Sequence, residues 1–312
     1  HLGRSLRIAG RQIEAGRSQI VEGSKARHFS VDSPALSGSP VIRSKLLQRS
    51  GIEEGEMATV ASISGLSTDL KTGLAFLTCL PLPHAAPEFR SEIARAAWTF
   101  PVVGALIGAF AALIYWLGYI IGFHPFVVAL LTVGATLTAT GALHEDGLAD
   151  TADGFGGGRT RERKLEIMRD SRTGAFGVSA LVLSILLRAA AISSLAEPAL
   201  VAPALIAAHA GARAMLPLFM WLVPSARQDG LAAEAGRPPQ ASVIASALLG
   251  LGALGLCLGP IGALIAVLLL AAAMGIMAWL CKRQIGGQTG DVLGALEQIG
   301  EILILLTASV WL

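Results

Sequence analysis

Long apolar runs separated by short polar connections dominate the chain from residue 98 onward. Seven of them, 98–121, 125–143, 175–196, 199–223, 241–258, 260–280 and 292–312, are long enough or nearly so to cross a hydrocarbon core of about 30 Å as helices. Their Ala, Gly and Leu content, with few aromatics, suits close helix packing in lipid. The pattern predicts an all-α fold, a polytopic membrane helix bundle of about seven spans.

The polar remainder is unevenly spread. Residues 1–56 are rich in Ser, Arg and Gly and read as a disordered N-terminal extension, whereas 57–312 reads as the membrane-embedded domain. Between the two, KTGLAFLTCLPLP at 71–83 is too short to span and carries two prolines at its end, which predicts an interfacial or re-entrant helix.

Composition supports the membrane reading. With 53% hydrophobic residues and a mean hydropathy of +0.63, the chain is too apolar for an ordinary soluble domain. A net charge of +2 without interleaved basic and aromatic residues excludes nucleic acid as a partner. Cys79, Cys257 and Cys281 lack metal-ligand spacing and read as packing residues. Basic residues set the orientation, because loops rich in Lys and Arg stay cytoplasmic. Of 24 such residues, 12 precede the first span, six fall in 144–174, two in 224–240, and two are Lys282 and Arg283; only Arg188 and Arg213 lie inside spans. Connections carrying them alternate with connections carrying none, which places the polar loops on the cytoplasmic side.

Against this background HEDGLADTAD at 144–153 stands out, with five acidic or imidazole side chains in ten positions. On a helix turning about 100° per residue, Asp146, Asp150 and Asp153 fall within an arc of about 60°. Three carboxylates on one face repel one another unless a cation joins them, and hard oxygen donors without cysteine suit Mg²⁺. Mg²⁺ keeps positions for water and phosphate, so the face predicts a diphosphate-bearing substrate; the plain alternative is a solvated helix end.

Downstream, GFGGGRTRERKLEIMRDSRTGAFG at 154–177 reads as a glycine-rich turn, a charged helix and a DSR segment. Glu162 and Glu166 read as its wet face, while Lys164, Asp170 and Arg172 are candidates for phosphate binding, Arg through paired hydrogen bonds. QIGGQTGD at 284–291 predicts a tight turn that presents backbone N–H groups and Asp291 at a helix start. Glu297 and Glu301, one turn apart in an apolar span, need a partner or water, and Arg188 or Arg213 is suited to neutralise them. His209 reads as a satisfied interior histidine, and His144 points away from the aspartate face as a supporting residue.

Together HEDGLADTADG, LEIMRDSRTGAFG and GGQTGD, with FLTCLP at 76–81 and FPVVG at 100–104, resemble the cobalamin synthase family, the adenosylcobinamide-GDP ribazoletransferases. The resemblance covers residues 71–312 in order. It implies a multi-pass enzyme of the cytoplasmic (inner) membrane whose catalytic loops face the cytoplasm. There a hydroxyl of α-ribazole, or of its 5'-phosphate, attacks the phosphate attached to adenosylcobinamide, GMP leaves, and Mg²⁺ is required. Carried over by position, Asp146, Asp150 and Asp153 hold metal and diphosphate and are catalytic, while Asp170, Ser171, Arg172, Thr289 and Asp291 line the substrate site; Lys164 and Arg213 join them as substrate-binding candidates. The lipid bilayer is the obligatory environment, and an oligomer or association with other late corrinoid-pathway enzymes is compatible with the resemblance. Two positions depart from the family's pattern, Cys79 where a basic residue is common and Gln298 where a glutamate is common. A membrane prenyltransferase or CDP-alcohol phosphotransferase would also set aspartates around Mg²⁺, but D-x3-D-x2-D with DSR and GGQTGD fits less well. A cation transporter using Glu297, Glu301 and Arg213 should keep its densest acids near the bilayer midplane, not in a loop.

Overall fold

In a computed structural model the described residues are 54–82 and 89–312, and they are helical with no strand among them. The helices are α1 (Glu54–Leu77), α2 (Phe89–Ala96), α3 (Phe100–Ile121), α4 (Pro125–Thr140), α5 (Leu143–Gly157), α6 (Arg161–Ile167), α7 (Ala175–Leu195), α8 (Pro198–Ala214), α9 (Leu216–Leu222), α10 (Leu231–Ala235), α11 (Gln240–Ile285) and α12 (Gly290–Trp311). Residues 1–53, and with them nearly all of the expected extension, lie outside the described residues.

Among the described residues, five helical stretches are long and apolar enough to cross a membrane: Glu92–Ile121, Ala175–Leu195, Pro198–Leu222, Gln240–Ile285 and Gly290–Trp311. The pair α4 and α5, bent by 93°, is a sixth if taken as one broken span. Leu256 and Val310, both about nine-tenths exposed, show that these helices turn apolar side chains outward, as a lipid solvent requires. This is a helical membrane bundle.

The five stretches and the seven expected runs are reconciled at two breaks. The runs at 241–258 and 260–280 fall in one 46-residue stretch, broken only at Gly259, whose φ of 69° and ψ of 175° are not helical. A straight helix of that length would extend about 69 Å, more than twice a hydrocarbon core. Instead it doubles back. Ser242 at its start donates to the Arg95 carbonyl (2.8 Å), and Ile285 at its end accepts from Arg161 (2.8 Å). Its middle, at Gly262, abuts Trp311 at the far end of α12. Run 125–143 differs in another way: α4 stops at Thr140, where Gly141 (φ 64°) and Ala142 (φ 55°) turn left-handed and send α5 off by 93°.

Small residues set the closest packing. A Cβ on Gly104 or Gly108 would meet the α8 backbone at His209 or Leu205, so α3 and α8 lie in backbone contact. α8 also runs beside α12, with Gly300 against Met215 and Ala212.

The segment expected as a short interfacial helix is a correction. Lys71–Leu77 is the last part of the 24-residue α1, which is not among the helices apolar enough to span a membrane, and Pro83 lies outside the described residues. α1 is held by Asp69, which accepts from Trp98 Nε1 (2.9 Å) and pairs with Arg95 (3.0 Å). The glycine-rich turn is corrected too. Gly154–Gly157 continue α5 as helix, because glycines there let neighbours approach: a Cβ on Gly154 would strike Met168, and on Gly156 the Phe176 ring.

Candidate active site

The turn after α4 sends α5 off at 93° and packs it against the start of α12. Gly147 and Gly294 make this possible, since a Cβ on Gly147 would sit 2.8 Å from the Asp291 carbonyl and one on Gly294 3.1 Å from that of His144. The crossing brings the acids of two distant motifs together. Asp146 is exposed and Asp150 half-buried, and Asp146, Asp291 and Asp153 all act on Asp150. Burial, then the repulsion of these carboxylates, pushes Asp150 up to about 7, with Arg227 opposing it.

Asp153 is turned to a different use. It is buried, and its two oxygens accept from the backbone N–H groups of Gly174 (2.6 Å) and Gly177 (2.9 Å), so it fastens the start of α7 to α5. Lys164, also buried, donates to the Phe155 carbonyl (2.9 Å) near the end of α5. Ser171 is exposed, and Arg172 pairs with Asp170 at 2.6 Å. The Arg172 side chain and backbone N–H hold the Asp170 carboxyl at about 2. Thr289 caps α12 by accepting from Val292 N (3.3 Å) and donates to Asp291 (3.1 Å). In the GGQTGD turn the Gln288 N–H is taken by the Pro224 carbonyl (2.8 Å), so it is committed to holding the 224–226 loop.

A cavity of about 230 Å³ opens beside Asp146. Its polar wall is Asp146, Arg227, Asp229, Thr289 and Asp291, and its apolar wall includes Phe76, Ile93, Phe100, Leu216 and Met220. Asp150, Asp153, Lys164, Asp170, Ser171 and Arg172 are not among its walls. Arg227, which sequence reasoning used only to orient the chain, donates to Asp291 at 2.6 Å. Arg169 forks onto Asp229 at 2.6 and 2.7 Å, tying the loop before α7 to the loop after α9. The basic content of 224–240 was the available signal for Arg227.

Behind the cavity lies a buried ion network. Arg213 pairs with Glu297 (2.5 Å) and Glu301 (2.8 Å), Arg188 with Glu301 and Glu145 (3.1 Å each), and His209 with Glu301. Ser184 donates to Gln298, which in turn donates to Glu297 (2.9 and 3.1 Å). Arg213, a substrate-binding candidate, is 1% exposed, absent from the cavity wall, and serves as the internal counter-charge of two glutamates, the neutralising role that its place in an apolar span also suggested. His209, Glu297 and Glu301 are close enough to share a metal ion, but the Arg213 guanidinium already stands between both carboxylates. His144 joins the two regions. It lines the cavity, and its Nδ1 lies 3.4 Å from Arg213 and 3.6 Å from Glu297.

A bundle of membrane-crossing helices, with a carboxylate-rich cavity at the end where its longer loops gather, defines a polytopic membrane protein built around a site for a charged, partly apolar ligand. Residues 69–309 match the family model described as cobalamin-5-phosphate synthase, and the chain belongs to that family. It is 54% identical over 248 residues to an adenosylcobinamide-GDP ribazoletransferase of Bradyrhizobium diazoefficiens, covering 80% of this chain and 95% of that one. Enzymes of the same name from Mesorhizobium japonicum and Azorhizobium caulinodans are 49% and 44% identical, each over 78% of this chain and 93% and 96% of their own. No solved structure matches the chain.

Proposed function

We propose that this chain joins adenosylcobinamide-GDP to α-ribazole, or to its 5'-phosphate, giving adenosylcobalamin or its 5'-phosphate and GMP. The observation that carries the reading is convergence: acids from HEDGLADTADG and GGQTGD, 145 residues apart at Asp146 and Asp291, meet at one cavity in a chain of this family. The family match also disfavours a prenyltransferase, a CDP-alcohol phosphotransferase or a cation transporter.

In the reaction the ribazole hydroxyl oxygen attacks the phosphorus that bears cobinamide. The bond from that phosphorus to the bridging oxygen breaks, its electron pair leaves with GMP, and the hydroxyl proton passes to a base. Charge grows on the phosphoryl oxygens and on GMP. Mg²⁺, when bound, neutralises and orients those oxygens. Asp146 and Asp150 would hold it, supported by an exposed or half-buried position, hard oxygen donors and the mutual repulsion that lifts Asp150. Asp291 borders the same space, and Arg227 is held beside it, facing phosphate oxygens with its remaining N–H groups. Asp153 contributes by fixing α7 against α5.

The site faces the cytoplasm in the inner membrane, a reading supported by the alternation of basic and uncharged connections. Membranes carrying the chain, given adenosylcobinamide-GDP, ribazole and Mg²⁺, should yield GMP and a corrinoid product in equal amounts. No GMP release would sink the reading. A reporter after Arg163 should behave as cytoplasmic and one at Pro198 as external; both on one side would overturn the topology.

A further inference from the structure

Resting on that reading, we infer that the 230 Å³ cavity is the seat of the acceptor's aromatic base, and that Leu216 on its apolar wall selects which base is taken. Size argues first. A corrin macrocycle with its amide arms is several times larger than this space, so the cobinamide half stays outside it.

Lining argues next. The walls divide into an apolar side, where Ile93, Phe100, Leu216 and Met220 are all less than a tenth exposed, and a polar side of Asp146, Arg227, Thr289 and Asp291. Phe76 and Phe100 stack there at 5.8 Å and 26°, offering aromatic surface to a flat ring. A guanine ring, rich in donors and acceptors on its edge, would leave those groups unpaired against Ile93, Leu216 and Met220. Ribazole has the matching two-sided character, a flat and largely apolar base on a ribose. With the base against the apolar side, the ribose hydroxyls reach the wall that holds Asp146, beside the acids assigned to the diphosphate. The acceptor thus enters the bundle end, and the donor approaches over the open acid face.

The test separates the two substrates. Leu216→Trp fills the apolar side, and Leu216→Ala enlarges it. The expected results are a KM for ribazole raised about tenfold or more by Leu216→Trp, with the KM for adenosylcobinamide-GDP within about twofold of the parent. Leu216→Ala should shift preference toward ribosides of bulkier bases. A change in the corrinoid KM alone, or in neither, would overturn the inference. Should the tryptophan variant fail to insert, the alanine variant decides, and an unchanged base preference counts against the inference. A parent chain that turns over, with neither variant altering ribazole kinetics, refutes only this inference. A parent that releases no GMP refutes the transferase reading itself.

Discussion

Two acidic regions lie a few residues apart in this molecule and are built on opposite principles. In the interior, Glu145, Glu297 and Glu301 are matched by Arg188 and Arg213, with His209 as a further partner of Glu301. At the bundle end, Arg227 is the cation beside Asp150 and Asp291, Thr289 also donates to Asp291, and Asp153 is taken by two backbone N–H groups, while Asp146 is exposed. A matched set of buried charges needs nothing from outside and holds helices in register. An unmatched set of carboxylates repels itself, and under the proposed function a cation and a ligand would complete it. Charge density alone therefore does not separate structure from function here; the balance of counter-charges does.

The largest effect should come from breaking the balanced set. Removing one partner from a buried pair leaves an uncompensated charge, which costs about 3–5 kcal/mol. Arg213→Met leaves the fully buried Glu297 without its guanidinium and takes one of three partners from Glu301, so it should abolish stable insertion or lower Tm sharply in detergent. Normal Tm and normal yield would show that the network is not what holds α8 to α12.

Next in size is loss of the open acids. Asp146→Asn and Asp150→Asn each remove a charged oxygen at nearly constant volume, and turnover should fall by a hundredfold or more, about 3 kcal/mol of transition-state stabilisation. Stability should move the other way. Because its neighbours and burial raise the Asp150 carboxyl to about 7, a neutral amide relieves repulsion in the metal-free protein, and Tm should rise. Parental turnover and Mg²⁺ dependence in both variants would reduce the acid face to a solvated helix end.

The fold was largely legible because lipid imposes long apolar runs, and the runs announce themselves. The break at Gly259 and Pro260 was readable from the same residues. The bend between α4 and α5 was not, because the left-handed turn at Gly141 and Ala142 leaves no mark in hydropathy. At the site, periodicity placed Asp146, Asp150 and Asp153 on one face, and α5 is indeed a helix there. It could not separate Asp153 from the others, since its captors are backbone N–H groups 21 and 24 residues away. Arg213 was recognisable as a span cation in need of an acid, but its partnership with Glu301, 88 residues on, is a tertiary fact. Arg227 and the Phe76–Phe100 pair carry no local signature, because each matters only through what the folded bundle sets beside it.

Asp153 offers a smaller test that falls between the two regions. Its oxygens take two backbone N–H groups in a buried place, so Asp153→Asn turns an amide N–H₂ toward a donor and should cost about 1–3 kcal/mol. Activity should drop through loosening of α7, and stabilising conditions such as low temperature should restore part of it. An unchanged Tm with a hundredfold loss of turnover would instead group Asp153 with Asp146 and Asp150.

The smallest effect belongs to an acid in neither set. Glu166 on α6 is exposed and pairs with Arg163 at 2.7 Å across one helical turn, a contact that water and salt screen heavily. Glu166→Gln leaves the Asp153 and Lys164 anchors intact and touches no wall of the cavity. GMP release should stay within about twofold of the parent at every Mg²⁺ concentration, because a solvent-exposed pair contributes little. A loss approaching that of Asp146→Asn would mean that acids away from both the aspartate face and the cavity serve the reaction. The contrast between matched and unmatched charge would then have to be drawn across the whole cytoplasmic surface, not at the crossing of α5 and α12.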